Sequence, residues 1–283
     1  MKKVLSLVLT TLFTFSIPLM AEIRETEQMS DILQEVEADT LVIFDVDYTL
    51  IHPDTMIFSY PGYRQLSNTM IDRANDGISL EKIQAWICTV MDNTSYYPIE
   101  NDIADTFSAI TAIGANTMGL TGRPTQPLGR IDDTGNFLLE ILEGHNIRFS
   151  IASEIPTDVY LRIPSVFHSR PPIMYKNGCI FSANMPKGAV LARFIEKTGI
   201  EPKKVIFIDD LRHHVVSVAT ELDKLDIPNV CFHYLWDSPV DLAFDEELVS
   251  YQLNYLMDTD LWLPEKDAQE AISPSCEKID DTI

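Results

Sequence analysis

Positive charge is scarce in this 283-residue sequence, which has 21 Lys and Arg against 43 Asp and Glu and a formal net charge of −22. A surface of that charge repels a polyphosphate backbone, so the composition disfavours a nucleic-acid-binding protein. The excess is uneven, because residues 237–283 hold 13 acidic side chains and two Lys, a balance of −11. The sequence therefore predicts a loose acidic C-terminal tail.

Cysteine is also scarce and widely spaced. The four Cys lie at positions 88, 179, 231 and 276, and no two of them form a CxxC pair. This spacing disfavours a zinc knuckle or a thioredoxin-type site. If the chain is exported, three disulfide pairings are possible and the spacing assigns none of them, while Cys88 could equally be a buried free thiol.

Long apolar runs are absent after the first 21 residues. Lys2 and Lys3 are followed by 18 uncharged positions, 4–21, and the chain turns charged at Glu22. This pattern predicts a signal peptide over residues 1–21, hence a periplasmic or secreted protein without a membrane span in the mature chain. An uncleaved anchor is the alternative, because 18 residues just reach the roughly 17–25 that cross a bilayer.

Short apolar runs are present instead, and they alternate with helical patterns. The runs cover residues 41–44, 116–120, 147–152, 205–208 and 230–235. Strands alternating with helices indicate an α/β protein with a doubly wound, Rossmann-like parallel sheet. An Asn-Gly pair within 173–182 predicts a β-hairpin. In such sheets ligands bind beyond the carboxyl ends of the strands.

An insertion follows the first of these strands. Asp45 and Thr121 are 76 positions apart, whereas a crossover between parallel strands needs about a dozen residues or somewhat more. Helical stripes within the insertion, one of them after a possible N-cap at Ser79, predict a small helical cap over residues 53–107. Residues 22–52 and 108–283 would form the core, and a further stripe at 244–255 predicts one more packed helix before the tail. The cap aromatics, among them Tyr60, are expected mainly in the core, with one or two at the entrance of the site.

Acidic pairs follow two of the predicted strands. Asp45 and Asp47 come directly after residues 41–44, and Asp209 and Asp210 directly after residues 205–208. Like charges about 4 Å apart cost about 4 kcal/mol at an effective dielectric of about 20, so a cation is needed if such groups face a phosphate. Mg²⁺ fits, because it takes hard oxygen ligands and is usually held by one or two carboxylates plus substrate phosphate. We therefore expect Asp45, Asp47, Asp209 and Asp210 to form a magnesium site.

Two further elements could hold phosphate oxygens at the same sheet edge. The turn Thr121-Gly122-Arg123 follows the next predicted strand and offers a hydroxyl, backbone amides and a guanidinium group. Lys187 precedes a helical stretch and supplies a positive charge. These residues are the candidate substrate-binding groups.

In this order, the motifs resemble those of the haloacid dehalogenase (HAD) superfamily of phosphohydrolases. The matching residues are Asp45-Val46-Asp47-Tyr48-Thr49, Thr121, Lys187 and Asp209-Asp210. The likeness covers roughly residues 40–236, and the insertion lies where that superfamily places its commonest cap. The signal peptide, the turn after Thr121 and the hairpin resemble a set of exported bacterial members.

The resemblance implies a magnesium-dependent phosphomonoesterase acting on a small phosphorylated substrate. Asp45 would be the nucleophile that forms an aspartyl-phosphate, and Asp47 the general acid and then base. Thr121 and Lys187 would stabilise the transferred phosphoryl group. Mg²⁺ would be held by the carboxylates of Asp45 and Asp209 and the backbone carbonyl of Asp47, with Asp210 orienting a water or Lys187.

Two other functions stay open at this point. His214 stands near a position where the superfamily often carries Asn, and with the acidic tail this departure suggests an exported binding or effector protein without turnover. A phosphotransferase is the third possibility, since an alcohol could replace water as the acceptor.

Overall fold

A computed structural model of the chain describes residues 22–151, 155–161 and 171–273. The predicted signal peptide, residues 1–21, lies outside these ranges, and so does the end of the predicted tail, residues 274–283.

Ten strands and nine α-helices are found in the described residues. The strands are β1 (Glu22–Thr26), β2 (Thr40–Phe44), β3 (Ile51–Pro53), β4 (Tyr96–Pro98), β5 (Asn116–Thr121), β6 (Asp158–Leu161), β7 (Ile173–Lys176), β8 (Cys179–Phe181), β9 (Lys204–Asp209) and β10 (Asn229–Tyr234). The helices are α1 (Tyr60–Asn75), α2 (Leu80–Asp92), α3 (Ile103–Ile113), α4 (Thr134–Gly144), α5 (Lys187–Thr198), α6 (Arg212–Lys224), α7 (Pro239–Leu242), α8 (Glu246–Thr259) and α9 (Glu265–Ile272). Short 3-10 helices lie at Met29–Glu35 and Met56–Phe58.

The core is an eight-stranded, mostly parallel sheet in the order β1-β10-β9-β2-β5-β8-β7-β6. The pairings along β1-β10-β9-β2-β5-β8 are all parallel. β7 pairs antiparallel with both β8 and β6, so it alone runs against the other strands of the sheet. Val42 and Phe44 pack into one hydrophobic cluster, and Leu41 and Ile43 into another on the opposite face. Because β2 is buried on both faces, its sequence is a continuous run of apolar residues. The prediction of an α/β protein with a mostly parallel, Rossmann-like sheet is confirmed.

The predicted strand at 147–152 is wrong over residues 147–151, which join no ladder, and residue 152 lies outside the described residues. This segment gives β5 one backbone hydrogen bond, from Thr117 N to Ser150 O at 2.7 Å. The neighbour of β5 is β8 instead. The predicted hairpin is present as β7 and β8, with Asn177 (φ 44°) and Gly178 (φ 91°) supplying the positive φ angles of its turn.

The C-terminal helix α8 packs with α1 and α2, which lie within the predicted cap at residues 53–107, whereas the predicted helical stripe at Ile103 and Phe107 packs into a cluster with the central sheet. The shared cluster consists of Ile57, Leu66, Met70, Ile83, Trp86, Val90, Val249, Leu253 and Leu256. Ser79 caps α2 as expected, accepting a hydrogen bond from Lys82 N at 3.2 Å. The packed helix predicted at 244–255 is present as α8, and α9 follows it, so the acidic region is not a loose tail up to residue 272. The division into core and cap at residues 53–107 stays a prediction.

Polar contacts reinforce this association between the cap helices and the C-terminal segment. Gln65 Nε2 donates to Ser250 Oγ at 2.6 Å, and Trp86 Nε1 donates to Asp260 Oδ1 at 2.8 Å. Thr55 Oγ1 donates to Glu265 at the start of α9. We call α1, α2, α8 and α9 together the composite cap, because they are joined by both apolar and polar contacts.

Cys88, Cys179 and Cys231 are buried free thiols, and Cys276 lies outside the described residues. Burial raises the pKa of the Cys179 thiol and raises that of Cys231 to about 12, so both stay protonated at neutral pH. In the part of the chain that the structure describes, no helix is long and apolar enough to cross a membrane.

Candidate functional site

Three carboxylates meet at the carboxyl end of the central strands. Asp45 follows β2, Asp209 ends β9, and Asp210 comes next. Because β2 and β9 are parallel neighbours, their ends lie side by side. One carboxylate oxygen from each of the three residues lies within 4.8 Å of the others. The two acidic motifs of the sequence thus converge through Asp45, Asp209 and Asp210; the Asp47 carboxylate is not in the group, and the assignment of all four residues to a magnesium site stays a prediction.

Lys187, the first residue of α5, lies between two of these carboxylates. Its Nζ is 2.5 Å from Asp45 Oδ1 and 2.6 Å from Asp209 Oδ2, and the residue is only 1% exposed. Burial disfavours the ammonium ion, but the charges of Asp45 and Asp209 outweigh it and raise the pKa of Lys187 above its ordinary value. The side chain is therefore a fixed positive charge within the cluster.

One ammonium ion does not balance three carboxylates. Burial raises the pKa of Asp45, and burial together with the charge of Asp209 raises the pKa of Asp210 to about 7. Asp210 Oδ1 is buried and has no hydrogen-bond partner among the described residues. An unpaired buried carboxylate oxygen is costly, and a hard divalent cation would both bind it and offset the excess charge. The donor set of Asp45, Asp209 and Asp210 therefore fits a metal ion of the Mg²⁺ type.

Asp47 is paired with Arg123, a residue 76 positions later in the sequence. Arg123 Nη2 donates to Asp47 Oδ1 at 2.6 Å, and Arg123 Nε donates to Oδ2 at 2.9 Å. The guanidinium carbon also lies 5.2 Å from the centre of the Tyr96 ring. Asp47, the predicted general acid, and Arg123, the predicted substrate-binding residue, thus form an ion pair with each other in this structure.

Thr121 ends β5 and is fully buried, and its Oγ1 accepts a hydrogen bond from Arg123 N at 3.1 Å. The turn after it is joined to the loop that leads to Lys187. Ser182 N donates to Thr121 O and Asn184 N to Gly122 O, each at 2.9 Å. A Cβ atom at Gly122 would lie 3.1 Å from Asn184 Oδ1, so the close approach favours glycine. These bonds fix the predicted phosphate-binding turn relative to Lys187.

Tyr60 and Thr49 are site residues that the sequence patterns did not single out as such. Tyr60, at the start of α1, donates its hydroxyl proton to Asp210 Oδ2 at 2.6 Å. The residue is 40% exposed, so it belongs to the entrance of the site and not to the core. Thr49 Oγ1 accepts a hydrogen bond from Asp210 N at 3.2 Å and so connects the first acidic motif to the last. Only the place of Thr49 at the end of the first acidic motif, two residues after Asp47, could have signalled its role.

Two histidines lie beside the carboxylate cluster. His233 Nε2 is 3.1 Å from the backbone oxygen of Asp210. Burial and the charge of Lys187 lower the pKa of His214 to about 4, so this imidazole is neutral at pH 7. A surface cavity of about 400 Å³ lies elsewhere, near Asp92, Tyr96 and His145, and none of the predicted site residues lines it.

Comparison with known proteins gives two matches. The family model described as "Protein of unknown function (DUF2608)" matches residues 25–268. The chain is also 24% identical over 247 residues to "Uncharacterized protein RP296" of Rickettsia prowazekii (strain Madrid E), and the match covers 87% of each protein. No solved structure matches the chain at a significant level.

Proposed function

This chain belongs to the DUF2608 family, and for it we propose the activity of a magnesium-dependent phosphomonoesterase that acts through an aspartyl-phosphate intermediate on a small substrate. One observation carries the proposal: a buried lysine joins two carboxylates at the end of a parallel sheet, beside a third carboxylate with an unpaired oxygen. The resemblance of the four motifs to the HAD superfamily supports it.

The carboxylates of Asp45, Asp209 and Asp210 would hold the metal ion, and the resemblance adds the backbone carbonyl of Asp47. When bound, Mg²⁺ would offset the negative charge that a phosphate ester brings to an already acidic cluster. The same offset explains how a chain of net charge −22 could accept an anionic substrate.

Asp45 would attack the phosphorus through a carboxylate oxygen while the bond to the ester oxygen breaks. Asp47 would give that oxygen a proton, and the alcohol would leave. Asp47 would then take a proton from a water molecule that attacks the phosphorus, and the bond to Asp45 would break and release inorganic phosphate. Lys187 and Thr121 would stabilise the charge on the phosphoryl oxygens in both steps.

The pairing of Asp47 with Arg123 sets a condition on this sequence of steps. Both carboxylate oxygens of Asp47 accept hydrogen bonds from Arg123. Asp47 can serve as a proton donor only when Arg123 releases one of these oxygens, and a phosphate group offers the guanidinium an alternative partner. Substrate binding would therefore free Asp47 and hold the phosphate with Arg123.

The test is phosphate release from a panel of small phosphate monoesters, measured with Mg²⁺ and with a chelator. We expect activity only with the metal, and a loss of at least about 1,000-fold in Asp45→Asn, which removes the nucleophile. Asp237→Asn changes an exposed carboxyl group and serves as the matched control, with unchanged activity. Release that survives both the chelator and Asp45→Asn would contradict the proposal.

The Asp47–Arg123 pair also supports the second candidate, a binding or effector protein without turnover, if Arg123 never releases Asp47. This candidate predicts no phosphate release from any ester, together with metal binding by the intact carboxylate cluster. A phosphotransferase would be recognised by transfer of the phosphoryl group to an added alcohol.

For the location of the protein, our proposal is export to the periplasm or the medium through residues 1–21. The mass of the chain recovered from the periplasmic fraction tests it, because cleavage after Ala21 leaves Glu22 as the first residue. A chain that keeps residues 1–21 and stays with the membrane would support the anchor instead.

A further inference from the structure

Two stacked tyrosine rings lie beside the carboxylate cluster. The ring centres of Tyr48 and Tyr60 are 4.7 Å apart and the ring planes differ by 24°. Tyr48 is 6% exposed whereas Tyr60 is 40% exposed. Solvent therefore meets this pair on the side of Tyr60.

Both rings are held by their hydroxyl groups. Tyr48 donates to the backbone oxygen of Phe58 at 2.7 Å, and Tyr60 donates to Asp210 Oδ2 at 2.6 Å. The second bond places the accessible ring next to a carboxylate of the candidate metal site. Since the hydroxyl is already used, what Tyr60 offers to a ligand is mainly its aromatic surface.

The surroundings of this ring are acidic. Asp210 accepts the Tyr60 hydroxyl proton, and Asp241 Oδ1 accepts from Tyr60 N at 2.8 Å. The two cations of the site, Lys187 and Arg123, are already paired with carboxylates. A group bound on Tyr60 would gain stacking energy but would be repelled if it carried a negative charge.

We propose that the preferred substrate is a phosphate monoester whose leaving group contains a planar aromatic ring without negative charge, and that this ring stacks on Tyr60. This inference rests on the proposed phosphomonoesterase activity. The phosphoryl group would lie at the carboxylate cluster and the aromatic ring on the accessible side of the tyrosine pair. Tyr60 would then be a specificity-determining residue, while the bonds broken and formed are those of the proposed reaction.

Benzyl phosphate and cyclohexylmethyl phosphate form a matched pair of probes, because both have an aliphatic leaving oxygen and a six-membered ring, and only one ring is aromatic. We expect kcat/KM to be at least about fivefold higher for benzyl phosphate, as one aromatic stacking contact predicts. Tyr60→Leu should abolish this preference and Tyr60→Phe should keep it. Tyr63→Leu, one turn from the pair and 55% exposed, is the control that keeps it.

The outcomes separate this inference from the proposed function. Equal hydrolysis of both esters, or a preference that survives Tyr60→Leu, overturns the aromatic specificity and leaves the phosphatase standing. If neither ester is hydrolysed, the phosphatase fails for these probes. In that case the binding of benzylphosphonate and of cyclohexylmethylphosphonate is measured by calorimetry in the presence of Mg²⁺. Tighter binding of the aromatic compound that is lost in Tyr60→Leu supports the aromatic site. Equal binding of the two compounds, or no binding, overturns it.

Discussion

Replacing Lys187 by Met tests the electrostatic basis of the site. Met fills a similar volume, so the change removes the charge and leaves little empty space. In the wild type the Lys187 side chain is 2% exposed, and its partners Asp45 and Asp209 are 8% and 0% exposed. The variant therefore leaves two buried carboxylates without their cation.

The size of the effect follows from these distances. At an effective dielectric of about 20, each contact of 2.5 or 2.6 Å contributes about 6 kcal/mol of attraction. The desolvation of three charges opposes this gain and is itself several kcal/mol for each ion. Removing one partner of a buried ion pair usually costs 3–5 kcal/mol, and we expect about that loss in the free energy of unfolding.

The assay is urea-induced unfolding at pH 7.5 in the presence of a chelator, for the wild type, Lys187→Met, Asp209→Asn and the double variant. Lys187→Met should lower the free energy of unfolding by less when Asp209 is already neutral. The double-variant cycle should therefore show a coupling energy between the two residues of about 2 kcal/mol or more. Saturating Mg²⁺ should recover part of the loss in Lys187→Met. A loss below about 1 kcal/mol, or an equal loss in the Asp209→Asn background, would refute the electrostatic account.

Three further variants test other parts of the structure. Because burial and the charge of Lys187 lower the pKa of His214 to about 4, the unfolded chain binds more protons at this residue between about pH 4 and 6.5. In urea unfolding, the stability of the wild type relative to His214→Gln should therefore fall by about 2 kcal/mol as the pH is lowered from 6.5 to 4. A Cβ atom at Gly188 would lie 2.1 Å from Ser217 O, so Gly188→Ala should lower the free energy of unfolding by about 1–3 kcal/mol. It should also lower the rate of phosphate release, because it displaces the start of α5. Gly144→Ala, whose Cβ atom meets nothing within 4 Å, should change neither. Leu253→Ala, in the composite cap, should cost about 2–4 kcal/mol in urea unfolding, whereas Leu242→Ala, at a residue 77% exposed, should stay within about 0.5 kcal/mol.

The meeting of Asp45 and Asp209 was predictable from the sequence because it depends on the two strands that precede them and little else. Parallel strands that are neighbours bring their carboxyl ends together, and each acidic motif directly follows an apolar run. The parallel sheet itself was predictable for the same reason, since strands buried on both faces read as continuous apolar segments.

The pairing of Asp47 with Arg123 and the contact of Tyr60 with Asp210 were not predictable from pattern. Each depends on side-chain rotamers of residues on separate loops or helices, 76 and 150 positions apart. The segment 147–151 failed as a strand: Arg148 and Ser150 interrupt its apolar residues, and it makes one backbone hydrogen bond to β5, at Thr117, whereas β8 pairs with β5 at residues 119–121. The helical stripe that contains Leu248 showed that one face is buried but could not show that the cap helices cover it.

The position of β1 has a consequence for the order in which the protein can fold. Within the part of the chain that the structure describes, β1 pairs with β10 alone, and Glu22 lies opposite Val230 in that ladder. At a synthesis rate of roughly 5–20 residues per second, β1 waits for roughly 10–40 s before its partner strand exists. The sheet therefore closes only after most of the chain has been made, and until then the first strand has unpaired backbone groups that a chaperone could bind. The proposed export would benefit from such a delay, because a chain crosses a membrane before it folds.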